Sequence, residues 1–131
     1  MKKIFKSIIV LALMFAVTGC GKPSLSKYIE DIQPQIEKEM KTYEGQGLNL
    51  EVIARDNNLV YVFTYDAKLT EGVDMKVLGE TLETSLASEA INTTFTNVYD
   101  EAKKAVKEID GVVLEYYSSD KELIASAAFP K

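Results

Sequence analysis

The sequence predicts an α+β domain: a tandem α-β-β repeat giving a four-stranded antiparallel sheet with helices packed on one face. Three observations predict it. Apolar residues recur at helical spacing over residues 25–43 and again over 75–109. Each stretch is followed by two short runs of β-branched and aromatic residues around a turn, at 48–65 and 112–129. Sliding the second hairpin back by 64 residues lays Gly111 on Gly47, Leu114 on Leu50, Glu115 on Glu51, Asp120 on Asp56 and Leu123 on Leu59, five identities in nineteen ungapped positions. The units run 24–66 and 74–130 inside one domain, 24–131. Each leaves an apolar hairpin face that only a neighbour and a helix can cover.

The chain opens differently. Met1–Lys6 holds three lysines, and Ser7–Val17 is an apolar run of eleven residues, short of the roughly 20 that a membrane-spanning helix needs. A basic start, a short apolar run and small residues before a cut describe a secretory signal. The ending Val17-Thr18-Gly19-Cys20 resembles the lipobox of bacterial lipoproteins. That resemblance implies that residues 1–19 are removed as a signal peptide and that Cys20 carries a covalent lipid. Residues 20–23 then form a short tether, and the domain sits on the extracytoplasmic face of the cell membrane.

Charge bounds the partners. The chain has 15 basic and 20 acidic residues, net −5, and the first nineteen residues hold three of the basic ones and no acid. What remains is 12 against 20, a net −8 over 112 residues. A nucleic-acid partner would meet a repulsive field, so none is expected, and direct binding to anionic lipid headgroups is disfavoured as well. Cys20 is the only cysteine, so no disulfide forms within the chain and core packing must hold the fold.

Within the domain, Ser24 or Ser26 can cap the first helix. Its stripe is Leu25, Tyr28, Ile29, Ile32, Ile36, Met40 and Tyr43, and it runs through Pro34. Either a kink at Gln33-Pro34 or two short helices in line follows. Gly45-Gln46-Gly47 stops it. Leu48, Leu50, Val52 and Ala54 then alternate with polar residues as in a half-buried strand, Asp56-Asn57-Asn58 is turn chemistry, and Leu59–Tyr65 returns. A two-residue turn at Asn57-Asn58 sets Val52 opposite Phe63; a three-residue loop sets it opposite Val62. Thr70–Asp74 reads as a linker with Asp74 as a cap. The long stripe from Met75 to Ile109 would span about 52 Å as one helix. It skips phase near Ile91, where Asn92-Thr93-Thr94 are poor helix formers, so a bend there and one overhanging helix are the alternatives. Gly111 opens the second hairpin.

The lipobox, an acidic helix, a hairpin, a long central helix and a C-terminal hairpin ending in Phe129 together resemble a group of small lipoproteins of Gram-positive bacteria that form a domain-of-unknown-function family. The resemblance spans the mature chain and implies no catalytic residue.

Chemistry is constrained too. Without histidine, no Ser-His-Asp or Cys-His arrangement exists within the chain, and zinc lacks its usual ligands. No Asp-x-Asp-x-Asp-Gly-type calcium loop and no phosphate-binding glycine loop is present. No metal, no cofactor beyond the lipid on Cys20 and no catalytic residue is expected, and the carboxylates of the central helix read as a solvated face. The sheet face away from the central helix would carry Ile53, Val60, Val62, Val113, Tyr117 and Ile124. That face is too apolar to leave bare, so either the first helix covers it or a partner does. The reading is a lipid-anchored binding module that is not an enzyme, with a protein or cell-envelope partner. An inhibitor or immunity-type lipoprotein acting on a cationic secreted hydrolase or toxin is the alternative, and a carboxylate-dependent hydrolase the third.

Overall fold

The first stripe folds as one helix, α1 (Leu25–Glu44), in a computed structural model that describes residues 23–44 and 47–130. Ser24 caps it, its Oγ accepting from the Lys27 amide at 3.2 Å. Pro34 lies inside the helix, so the two-helix alternative is not adopted. The interior proline costs on the order of 3 kcal/mol, and burial of Leu25, Tyr28, Ile29 and Ile36 offsets it. The side chain of Tyr43 and the stop residues Gly45 and Gln46 lie outside what is described.

Strands β1 (Leu48–Arg55) and β2 (Asn58–Tyr65) form the first hairpin. Its turn is Asp56-Asn57, one residue earlier than the sequence suggests, with φ of 51° and 65°. Two left-handed residues make the turn whose twist matches a two-residue hairpin. Val52 therefore faces Tyr61, and Leu50 faces Phe63. The slip from the expected pairing is two residues, which leaves every side chain on its expected face.

Asp66 caps a single turn, α2 (Ala67–Thr70), which precedes the Thr70–Asp74 linker and which the sequence pattern does not announce. Asp74 caps α3 (Met75–Leu86), as its position implies. The long stripe breaks at Ala87-Ser88, and Ser88 caps α4 (Glu89–Ala105), its Oγ accepting from the Ile91 amide at 3.3 Å. Asn92-Thr93-Thr94 lie inside α4, four residues past the break. Thr94 is accommodated there by donating its hydroxyl to the Ala90 carbonyl at 2.8 Å.

Strands β3 (Gly111–Tyr117) and β4 (Leu123–Phe129) complete a four-stranded sheet in the order β1-β2-β3-β4. The fold is α+β, as expected. The sheet is mixed, however: both hairpins are antiparallel, but β2 and β3 pair in parallel. The connection through α3 and α4 brings the chain back to the end where β2 began, and the Asp110 amide donates to the Asn57 carbonyl at 2.7 Å. From there β3 sets off alongside β2, as a long helical crossover permits. The echo between the hairpins extends to register: Leu48–Tyr65 and Leu50–Phe63 recur as Val112–Phe129 and Leu114–Ala127. It does not extend to direction. The strands run up, down, down, up, where a translated copy would alternate.

The stripes of α1, α3 and α4 join the inner-face residues of all four strands in one buried cluster. Phe95 lies at its centre, with ring centroids 5.7 Å from Tyr61 and 5.5 Å from Phe129. Ile53, Val60, Val62 and Val113 belong to the other face and take no part in that cluster.

Candidate functional site

Alternation along each strand turns Ile53 and Arg55 of β1, Val60 and Val62 of β2, and Val113, Glu115 and Tyr117 of β3 away from the helices. Register then assembles them in rows. Ile53, Val60 and Val113 stand side by side across three strands; Glu51, Val62 and Glu115 form the next row, and Thr64 pairs with Tyr117. Five of the six expected face residues thus share one surface.

Ile124 does not. The β3–β4 register shifts at Tyr116/Tyr117, with Tyr116 opposite Ala125 and Tyr117 opposite Leu123. The bulged Ile124 turns to the helix side, where a Cβ on Gly79 of α3 would stand 3.2 Å from its carbonyl oxygen and 3.6 Å from its Cγ2. Val17, Thr18, Gly19 and Cys20 lie outside the described residues.

The centre of the surface is not bare apolar. Arg55 ends β1 opposite Asn58, while Glu115 stands opposite Val62 on β3, and the two side chains form an ion pair. The pair therefore crosses β2 over Val60, which lies between Asn58 and Val62 on the same face. Val60 is 0 % exposed although no helix covers it; the ion pair and the flanking Ile53 and Val113 supply the cover. Tyr117 donates its hydroxyl to Glu115 Oε1 at 2.9 Å.

Burial pushes the Glu115 carboxyl up, but hydrogen bonds from Arg55 and Tyr117 outweigh it and hold the group below the usual carboxylate range. The same partner raises Arg55 and Tyr117, in each case chiefly through the hydrogen bond. At neutral pH this is a closed set of one cation, one anion and one neutral phenol. Its groups are committed to one another, so the arrangement favours a structural strap over a reactive centre. The sequence signal was there: Arg55 and Glu115 share the parity of Ile53 and Val113. Among the described residues, no group of three or more acidic, cysteine or histidine side chains is placed to hold a metal ion. No described helix is long and apolar enough to cross a membrane.

Residues 25–129, from the first residue of α1 to the last of β4, match the family described as Domain of unknown function (DUF4854). The chain belongs to this family. No curated protein and no solved structure matches it. The DUF4854 match covers every helix and strand described above, so the family unit is this α+β domain. The strapped outer face lies within it, while Val17–Cys20 precede it.

Proposed function

We propose that this DUF4854 domain is a lipid-anchored, extracytoplasmic binding module without catalytic activity, held at the cell membrane through Cys20 and engaging a protein or cell-envelope partner. The observation that carries the reading is the helix-free sheet face. Ile53, Val62, Val113 and Tyr117 stand half-buried around the Arg55–Glu115 strap, a mix of aliphatic, aromatic and charged groups that suits recognition. Val60, sealed beneath the strap, is withdrawn from contact.

Where the chain enters the domain supports the anchor. The Pro23 carbonyl accepts from the Lys107 amide at 2.9 Å, which sets the entry at the end of the sheet bearing the β1–β2 turn. Three residues from Cys20 to Pro23 reach at most about 10 Å, so that end would face the bilayer. The excess of acid beyond Cys20 favours a second reading, an inhibitor or immunity-type lipoprotein against a cationic secreted hydrolase or toxin.

Two substitutions test the module. Cys20→Ala should yield an unlipidated precursor lost from the membrane fraction; wild-type mobility and partitioning would refute the anchor. Val62→Lys should leave the far-ultraviolet circular dichroism spectrum unchanged while abolishing capture of the partner by surface cross-linking. A Val62→Lys chain that cannot fold would show this face to be a second core.

A further inference from the structure

A different surface lies at the other end of the molecule. Between α3 and the start of β4 a groove of about 550 Å³ opens. Its apolar side is Met75, Leu123 and Ile124, with Gly79 as floor. Met75 is 37 % and Leu123 55 % exposed, two of only three large apolar side chains so exposed among the described residues. Its rim carries Glu80 and Glu83 from α3 and Asp120 and Glu122 from the β3–β4 loop, against the single cation Lys76.

The groove meets an edge strand at Leu123 and Ile124, the first two residues of β4. Strand β4 pairs with β3 and with no other described strand. Its sequence, Leu-Ile-Ala-Ser-Ala-Ala-Phe, contains no charged residue. Exposed edges are ordinarily blunted by lysine, proline or a bulge. Here the bulge is confined to the start of β4, and pairing with β3 is regular from Ala125 to Phe129. Both edge strands pack against a helix, β1 on α1 and β4 on α3, but β1 carries Glu51 and Arg55.

We propose that the β4 edge and the acidic groove beside it form a docking site for an extended, cationic and apolar segment of a protein partner, added to the sheet as a fifth strand. Backbone groups of β4 supply the hydrogen bonds, and alternate side chains of the segment enter the groove. Met75, Leu123 and Ile124 take its apolar residues. The four carboxylates face its lysines or arginines, which is the charge complementarity that selects this occupant over an acidic or neutral strand. Gly79 lets α3 approach Ile124 closely, so the floor is formed before any segment arrives. The groove also opens at the end away from Pro23, since β3 runs seven residues, about 23 Å, from the entry end to this loop. On an anchored chain it faces outward. The site is independent of the outer-face reading.

The test titrates the ¹⁵N-labelled full chain in non-ionic micelles with an end-blocked nine-residue peptide of alternating lysine and valine. Saturable amide shifts are expected at Leu123–Ala128 and Met75–Glu83. An alternating glutamate–valine peptide should not bind, and N-methylation of alternate lysine–valine amides should abolish binding. Glu80→Lys with Glu83→Lys should weaken it by about tenfold, while Asp100→Lys with Glu101→Lys on α4 should change it by less than about twofold. Circular dichroism confirms that each variant folds. The proposal is overturned by shifts confined to Val62 and Val113, by an affinity indifferent to the α3 reversal, or by equal binding of the N-methylated peptide. It is likewise overturned if the lysine–valine peptide fails to saturate, or if sedimentation shows β4 already paired with a second copy.

Discussion

Removing the Glu115 carboxylate is the sharpest probe of the outer face. Glu115→Ala deletes the acceptor of two side-chain donors and uncovers Val60. The Glu115 side chain is 11 % exposed and that of Arg55 46 %, so the ion pair sits nearer the exposed range, roughly 0.2–1 kcal/mol, than the buried one. The Tyr117 bond adds about 1 kcal/mol. Exposing some 30–40 Å² of Val60 adds about 1 kcal/mol at roughly 25 cal/mol per Å². The expected loss is therefore about 2–3 kcal/mol. Arg55→Ala should cost about 1 kcal/mol, and the double variant should fall short of additivity by about 0.5–1 kcal/mol. Urea unfolding followed by far-ultraviolet circular dichroism reads all three values. The pH dependence has a definite sign. Because the folded carboxyl lies below its unfolded value, its contribution is present above the unfolded carboxylate range, about pH 4.3, and is lost as pH falls through the lower folded value. The coupling should thus weaken as pH falls below the unfolded carboxylate range. Additive losses at pH 7, or a Glu115→Ala cost no larger than that of exposed Glu51→Ala, would refute the strap.

Two further outcomes are expected. Leu82→Asp and Phe95→Asp, each at a position 0 % exposed, should unfold the domain by burying an unpaired charge in a fold stable by only about 5–15 kcal/mol; exposed Glu83→Ala and Lys104→Ala should shift urea midpoints by less than about 0.5 kcal/mol. On the alkaline side, burial raises Tyr28 to about 12 and carries Tyr61, Tyr65 and Tyr116 well above the ordinary value. Their contribution is complete below the unfolded value of about 10 and is lost as pH rises toward the folded ones. Of the seven tyrosines, absorbance at 295 nm should therefore show these four ionising with cooperative unfolding, and ionisation of more than three in a still-folded chain would contradict their burial.

What could be read from the sequence was whatever depends on neighbours along the chain. The stripes of α1, α3 and α4 follow from spacing alone, and Asp74, with Ser24 as one of two candidates beside Ser26, can be read as a cap because a side-chain oxygen stands just before an apolar run. The break before α4 was read four residues late. The weak helix formers at Asn92–Thr94 drew attention from Ser88, whose extended backbone and side-chain acceptor for the Ile91 amide start the second helix. Hairpin faces survived a wrong register because the error was an even number of residues, whereas Ile124 was misplaced because a bulge adds an odd one.

The relation between the two hairpins has no local signal. Its determinants are contacts across the fold, such as the Asp110–Asn57 hydrogen bond and the fit of Gly111, where an added Cβ would lie 2.9 Å from the Phe129 carbonyl oxygen and 3.1 Å from Asn58 Oδ1. The same relation creates the strap. Arg55 and Glu115 are 60 residues apart and meet only because parallel pairing sets Glu115 opposite Val62, one step along β2 from Val60, while the first hairpin sets Arg55 opposite Asn58, one step the other way. The parallel centre of the sheet and the strap on its outer face therefore have one cause: the parallel pair carries the carboxylate to the arginine, and the two close over Val60.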